Sequence, residues 1–418
     1  MNTPLTFTLL FAALLLLNLA LKLWLANRQI RHVAQHRAAV PADFEGVIDL
    51  PAHQKAADYT LAKLRLSHWD MAIDAVLLLC WTLLGGLSAL DALLMDAVGP
   101  GMWQQLLLVV GFMFIGGVLS LPVSWYQTFK VEQQFGFNNM TMGLWLSDLV
   151  KGALLGLVLG LPFIAGVLFL MQVGGSYWWL MAWALLVGYQ LLVMWIAPNY
   201  IMPLFNKFQP LEDAQLQERV NALMQRTGFQ SDGFFVMDGS RRSAHSNAFF
   251  TGLGKQKRVV FFDTLLKQLS IDEMEAVLAH ELGHAKLNHI PKSLLRGFLV
   301  SLLGMAALGW LSTQVWFYTG LGVMPHLSSA NDALALLLFV QVVPLLTFVT
   351  TPLRAARSRQ HEFEADAFAS QHANAADLRQ ALIKLYQDNA STLTPDPLYV
   401  AFYHSHPPAS QRLARLNA

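Results

Sequence analysis

Ser270-Ile271-Asp272-Glu273-Met274-Glu275-Ala276-Val277-Leu278-Ala279-His280-Glu281-Leu282-Gly283-His284 is the stretch on which the reading of this chain turns. Ser270 and Glu273 stand at capping-box spacing, so hydroxyl and carboxylate can satisfy the first free amides of a helix. On that helix His280 and His284 lie one turn apart and project from one face. Two imidazoles so placed can converge on one Zn²⁺ at about 2.0–2.1 Å, and Glu281, beside the first, is placed to hold a metal-bound water. The expected chemistry is metal-assisted hydrolysis. The ion lowers the pKa of the water toward about 7, Glu281 takes its proton, and the hydroxide attacks a carbonyl. The competing reading is an exposed helix with two solvated histidines.

Around this motif the composition belongs to a bilayer. Of 418 residues 55% are hydrophobic and only 13% charged, with a mean hydropathy of +0.43, where soluble domains carry about 25% charged residues. A net charge of +1 without a dominant basic stripe gives no case for nucleic acid as a partner. The single cysteine, Cys80, sits in an apolar run, so neither a disulfide framework nor a Cys-based zinc site can form within one chain.

Seven runs are long enough to cross about 30 Å of hydrocarbon: Leu5 to Leu25, Met71 to Leu90, Trp103 to Val123, Gly152 to Met171, Trp178 to Ile196, Leu299 to Phe317 and Ala333 to Val349. The first lacks a basic leader and a small-residue cleavage site and reads as a retained span. Arg28, Arg31, Arg37, Lys55, Lys63 and Arg65 lie between the first two runs, whereas the connections near Asp91 to Met102, Val173 to Tyr177 and Tyr318 to Asp332 hold no Lys or Arg. The positive-inside rule then places the basic loops and the C-terminus in the cytoplasm and the N-terminus outside. The loop from Glu132 to Asn139, with a Gly turn and two adjacent Asn, reads as a solvated connector.

Residues from about Leu211 to Leu294 are polar and patterned like a cytoplasmic domain. Asp213 to Arg226 has helical periodicity, and Gly233 to Met237, Ala248 to Leu253 and Arg258 to Phe262 look like short strands. An edge strand near a zinc site can pair with an extended peptide, and Ser246-Asn247-Ala248-Phe249-Phe250 is the candidate. Pro291 is expected to end or kink the metal helix. His284 lies roughly 15 residues before the apolar core of the sixth run, which at about 1.5 Å per residue puts the site within about 25 Å of the bilayer surface.

A catalytic zinc needs a third protein ligand. Beyond the seventh run comes Ser358-Arg359-Gln360-His361-Glu362-Phe363-Glu364-Ala365-Asp366, where either Glu362 or Glu364 could ligate. Spacing favours Glu362, because Asp366, one turn on, would then be free to hydrogen-bond the second ring nitrogen of a zinc-bound His.

At this point the motifs together resemble a family. His280-Glu281-x-x-His284, the Arg359-x-x-Glu362-Phe363-x-Ala365-Asp366 block, Ser243 to Ala248 and Ser405-His406-Pro407-Pro408-x-x-x-Arg412-Leu413 are similar to those of the type I CAAX prenyl proteases, integral-membrane zinc endopeptidases. The resemblance covers nearly the whole chain in order. It implies a mainly α membrane protein, with about seven transmembrane helices enclosing a chamber and a small α+β zinc-peptidase domain at the cytoplasmic face. It implies one Zn²⁺ held by His280, His284 and Glu362, Glu281 as general base and Asp366 behind His280. His406 and Arg412 would stand at the scissile carbonyl, and Asn247, Ala248 and Phe249 would line the substrate groove. Short loops and the absence of an endoplasmic-reticulum retention sequence at Ala418 point to a bacterial member in an inner membrane. Its expected partners are membrane lipid and peptide or protein substrates that are membrane-associated, misfolded or lipidated.

The chain thereby divides into 1–198 with five spans, 199–294 with the metal helix, 295–353 with two spans, and 354–418 with the third ligand. Two non-enzymatic readings compete: a seven-span transporter or receptor with a structural His-Glu motif, and an idle scaffold. Glu281 discriminates, since a purely structural zinc has no use for a water-activating carboxylate.

Overall fold

A computed structural model describes residues 3–251 and 256–416. Among these, six helices are long and apolar enough to cross a membrane: Thr3–His36, Met102–Glu132, Met142–Val173, Gly175–Phe205, His289–Leu311 and Asp332–His372. The bent pair Leu50–Trp81 and Gly86–Val98 makes a seventh candidate crossing when taken as one broken span. Their outward faces carry exposed apolar side chains such as Leu17, Val158 and Leu303. A surface of that kind is stable only against lipid.

The second run is therefore not one straight helix. It breaks at Thr82–Gly85 and resumes at an angle of 50°. Gly85 takes a left-handed conformation (φ 80°), and a Cβ on Gly86 would stand 2.5 Å from the Cys80 carbonyl oxygen. The break needs glycine at both places. Wide π-helical turns interrupt the fourth and fifth spans at Gly156–Gly160 and Ala197–Ile201. Pro162 and Pro198, which lack an amide hydrogen and crowd the preceding turn, account for them.

The sixth span begins earlier than hydropathy suggests. The metal helix, Ile271–Lys286, ends before Pro291, which sits in the first turn of the next helix, His289–Leu311. Only Leu287 and Asn288 separate the two, so the metal helix leads almost directly into the helix that carries the sixth apolar run. Phe317, expected in that span, belongs to a separate short helix, Val315–Gly320.

The polar segment forms a four-stranded sheet: β1 (Phe208–Pro210), β2 (Gln230–Met237), β3 (Ala248–Thr251) and β4 (Gln256–Phe262), in the order β1-β2-β4-β3. β2 and β4 are parallel and the other pairs antiparallel. β3 is thus an edge strand; residues 252 and 253, expected to extend it, lie outside the described residues. Three-residue β1 carries too little alternation to be read from sequence. The helix Ala214–Thr227, capped by Asp213, buries Leu216, Val220, Leu223 and Met224 against Phe261, Leu278 and Leu282. The same core takes in Phe44 and Ile48 from the first loop and Leu378, Leu382 and Leu413 from the tail. Distant parts of the chain are held around the metal helix by one apolar interior.

The connector from Glu132 to Asn139 is not simply solvated. The Tyr59 hydroxyl donates to Glu132 at 2.7 Å, Phe137 is buried and stacks on His245, and the Asn139 amide donates to the Arg242 carbonyl. Two aromatic rings and a half-buried carboxylate draw it down onto the segment that leads into β3.

Candidate active site

The capping box forms as its spacing predicts. The Ser270 amide donates to Glu273 Oε2 at 2.7 Å and the Glu273 amide to Ser270 Oγ at 3.3 Å. Lys384 closes on the same carboxylate at 2.7 Å, tying the tail to the start of the helix.

Glycine sets how closely the third-ligand helix can approach. The metal helix crosses the C-terminal end of Asp332–His372 at Gly283, where an added Cβ would meet Ala365 Cα and Phe368 Cβ, both at 3.1 Å. The small residues at the crossing let two backbones nearly touch. Side chains one turn away, His280 on one helix and Glu362 and Asp366 on the other, then meet directly.

His280 Nε2, His284 Nε2 and the Glu362 carboxylate converge. The separations are 3.2 Å between the two nitrogens, 3.4 Å from His280 Nε2 to Glu362 Oε2 and 3.3 Å from His284 Nε2 to Glu362 Oε1. A tetrahedral ion with donors at about 2.0–2.1 Å has donor–donor edges of about 3.3–3.4 Å, so the spacing suits zinc. Glu362 Oε2 is buried without a hydrogen-bond partner, which is costly unless a cation lies within reach. Burial works against the His280 imidazolium, yet the Asp366 and Glu362 carboxylates outweigh it and push its pKa up to about 9. The pocket calls for positive charge at the point where the three donors meet.

Behind the donors lies a second layer. Asp366 Oδ1 accepts from His280 Nδ1 at 2.8 Å, leaving Nε2 free as a donor to a metal. Arg412, in the tail helix Ala409–Leu416, clamps Asp366 through Nε at 2.8 Å and Nη2 at 2.5 Å. Asp366 and Arg412 are 3% and 5% exposed. The tail is pinned in turn: Arg359 donates to the carbonyls of Val400 (3.0 Å) and His404 (2.9 Å). Arg28 of the first span pairs with Asp396 at 2.9 Å.

A cleft of about 320 Å³ opens over the donors, lined among others by Asn247, Ala248, Glu281, Tyr386, His406 and Arg412. Burial pushes the Glu281 carboxyl above the ordinary carboxylate range, against the opposing pull of His280 and His284. His406 Nε2 stands 3.5 Å from Glu362 Oε1. Asn247 Oδ1 accepts from the Ala248 amide at 2.9 Å, fixing the start of β3. Phe249 does not share this cleft. It lies one pleat on and lines another with Pro198, Met202 and Arg258, as strand alternation requires.

Glu364, the alternative third ligand, is turned away from the convergence point and faces His289 at 2.9 Å. Tyr386 and Asn389 join the cleft without a sequence signal, since nothing in a helix ending at Asp388 marks them apart from its apolar face.

Residues 210–418 match the profile described as peptidase family M48, and residues 29–207 that described as CAAX prenyl protease N-terminal, five membrane helices. This chain belongs to peptidase family M48. A CAAX prenyl protease 1 homolog of Arabidopsis thaliana is 40% identical over 74% of this chain and 72% of its own. CAAX prenyl protease 1 of Saccharomyces cerevisiae is 34% identical over 94% and 91%. The crystal structure of S. mikatae Ste24p superposes with a TM-score of 0.93 at 31% identity, covering 99% of both chains. The family M48 chain described here is an integral-membrane metallopeptidase, a hydrolase of peptide or protein substrates, and the transporter, receptor and scaffold readings fall away.

Proposed function

We propose that the chain is a zinc endopeptidase in which His280, His284 and Glu362 hold a single Zn²⁺. One observation carries this reading: three donors spaced as tetrahedral edges, His280 and Glu362 buried and His284 half-buried, one oxygen unpartnered, with the Glu281 carboxylate in the same cleft. A zinc ion there would lower the pKa of a water toward about 7 and polarise a carbonyl. Segments 199–294 and 354–418 then form one catalytic unit carried by the spans in 1–198 and 295–353.

The chain's own residues supply the rest. Asp366 holds His280 in the tautomer that presents Nε2, and Arg412 holds Asp366. Glu281 takes a proton from the attacking water, and the same carboxyl returns it to the amine nitrogen as the peptide bond breaks. His406 and Arg412 face the cleft as donors for the oxygen that gains charge at the scissile carbonyl. The free edge of β3, begun by Asn247 and Ala248, accepts the substrate as an added strand, with Phe249 on its opposite pleat.

Substrates are membrane-associated or misfolded polypeptides. The names of the relatives extend the class to prenylated CAAX-type proteins. The short loops favour a bacterial inner membrane, and the loop charges place the N-terminus on its periplasmic side and the catalytic side in the cytoplasm. Glu281→Ala should retain about one zinc per chain while cleavage of a quenched fluorescent peptide disappears. Undiminished turnover would remove Glu281 from the mechanism, and zinc retained at wild-type affinity in His280→Ala would move the metal elsewhere.

A further inference from the structure

Asp366 fixes His280 through Nδ1, but both histidines of the motif need their rings oriented, and among the described residues no carboxylate is seen against Nδ1 of His284. Five residues beyond it stands His289. The metal helix ends at Lys286, and Asn288 takes a left-handed backbone (φ 56°), a conformation Asn tolerates better than most residues. His289 then opens the next helix.

That turn sets His289 against His284, Nδ1 to Nδ1 at 3.0 Å, with ring centroids 5.1 Å apart. His289 is 3% exposed, and its other nitrogen, Nε2, lies 2.9 Å from Glu364 Oε2. One face of its ring is covered by His361, stacked at 4.0 Å and 4°. The second oxygen of Glu364 accepts from Gln360 at 2.8 Å.

Proton bookkeeping along this line allows one arrangement. An ionised carboxylate only accepts, so His289 Nε2 carries the hydrogen. Neutral imidazole has a single N–H, which makes His289 Nδ1 an acceptor. His284 Nδ1–H donates to it, and His284 Nε2 is left with a bare lone pair. That nitrogen is the one beside His280 Nε2 and Glu362 Oε1.

We propose that His289 and Glu364 are positioning residues for His284, a carboxylate–imidazole pair that fixes its tautomer and ring plane for the metal. The proposal rests on the zinc reading given above. Each histidine of the motif then has its own orienting carboxylate. Asp366 acts directly on His280, and Glu364 acts on His284 through one intervening ring.

The same three side chains could be imagined as a second metal site, since donor atoms of His289, His361 and Glu364 lie within 4.8 Å of one another. Two features oppose it. Parallel stacked rings aim their in-plane lone pairs side by side and not at a common point. A metal on His289 Nε2 would also move its hydrogen to Nδ1, against the N–H of His284.

The test is zinc affinity, measured on the full chain in detergent by competition with a fluorescent chelator. His289→Phe keeps a ring to stack on His361 and loses the acceptor. His289→Asn keeps an acceptor oxygen near the Nδ1 position and loses the stack. Glu364→Leu removes the terminal carboxylate, and Glu364→Gln keeps an acceptor there.

Zinc binding should weaken about 10–100-fold in His289→Phe and Glu364→Leu, the range typical of lost outer partners, and by markedly less in His289→Asn and Glu364→Gln. Equal affinities throughout, or the reverse order, overturn the proposal. So do two zinc ions per wild-type chain with the second lost in Glu364→Leu. Should one variant at position 289 fail to fold, the pair at position 364 carries the same comparison. A wild-type chain that binds no zinc overturns the metal reading itself, whereas a tightly loaded His289→Phe overturns only the positioning role.

Discussion

Replacing Asp366 by alanine separates the two tasks of its carboxylate. In the intact protein it accepts from His280 Nδ1 at 2.8 Å and receives both arms of Arg412 at 2.8 and 2.5 Å. All three side chains are buried. Asp366→Ala leaves the Arg412 guanidinium, 5% exposed at the edge of the cleft, without its bidentate partner, a change that costs about 3–5 kcal/mol where one member of a buried pair is removed. At roughly 2–4 °C per kcal/mol for a unit of 150–250 residues, the soluble core should melt about 6–20 °C lower.

Removing the stranded charge as well, in Asp366→Ala with Arg412→Met, should restore most of that loss, because an apolar replacement of a buried pair is often neutral or better. Zinc affinity should not follow. The orienting hydrogen bond to His280 is absent in both variants, and binding should stay about 10–100-fold weaker. Thermal scans in chelator remove the contribution of bound metal, and chelator competition reads the affinity. A double variant no more stable than the single one, or wild-type zinc affinity in either, would refute the division of labour.

Other outcomes follow from the same geometry. His406→Ala should retain zinc and lose about 10²–10³-fold in kcat, the range for one oxyanion donor; an effect confined to KM would make it a binding residue only. Saturating zinc at about 1,000 times its dissociation constant should stabilise the soluble core by about 4 kcal/mol over the chelated protein, visible as an upward shift in melting temperature that His280→Ala abolishes. In a Cys80→Ser background, a cysteine at Leu327, fully exposed between the last two spans, should react with a membrane-impermeant maleimide added to intact cells. One at Glu212, also exposed, should react only after lysis, and the opposite pattern would invert the proposed orientation.

The chemistry of the site was legible because its signals are local or strongly periodic. The capping box, two imidazoles one turn apart and the Glu362/Asp366 pair on one helical face each need only a few neighbouring residues to be recognised. Apolar runs located each candidate span for the same reason, although several helices extend about ten residues beyond the run that marks them, and the edge placement of β3 held. What was missed is either a backbone effect that hydropathy does not register or a contact with a partner remote in the chain. The break at Thr82–Gly85 is of the first kind: Gly85 takes a left-handed φ, and the lack of a Cβ on Gly86 lets it pack against the Cys80 carbonyl. The Glu132–Asn139 connector is held by Tyr59 and Arg242. Hydropathy placed the start of the sixth span near Leu299 because its first turn is polar, although that turn is already helical from His289. His289 did leave a trace, five residues past His284, but its worth depends on Glu364, 75 positions away.

The donors are distributed in a way that bears on biogenesis. Between His284 and Glu362 the chain runs through two candidate crossings, His289–Leu311 and Asp332–His372. The carboxylate can reach the imidazoles only if both hairpin legs have been threaded in the right sense. On the ligand set proposed above, a nascent or inverted polypeptide has no complete site, and the capacity to cut waits on insertion. Metal uptake is in this sense a receipt for correct threading, issued by the same helix crossing at Gly283 that builds the catalyst.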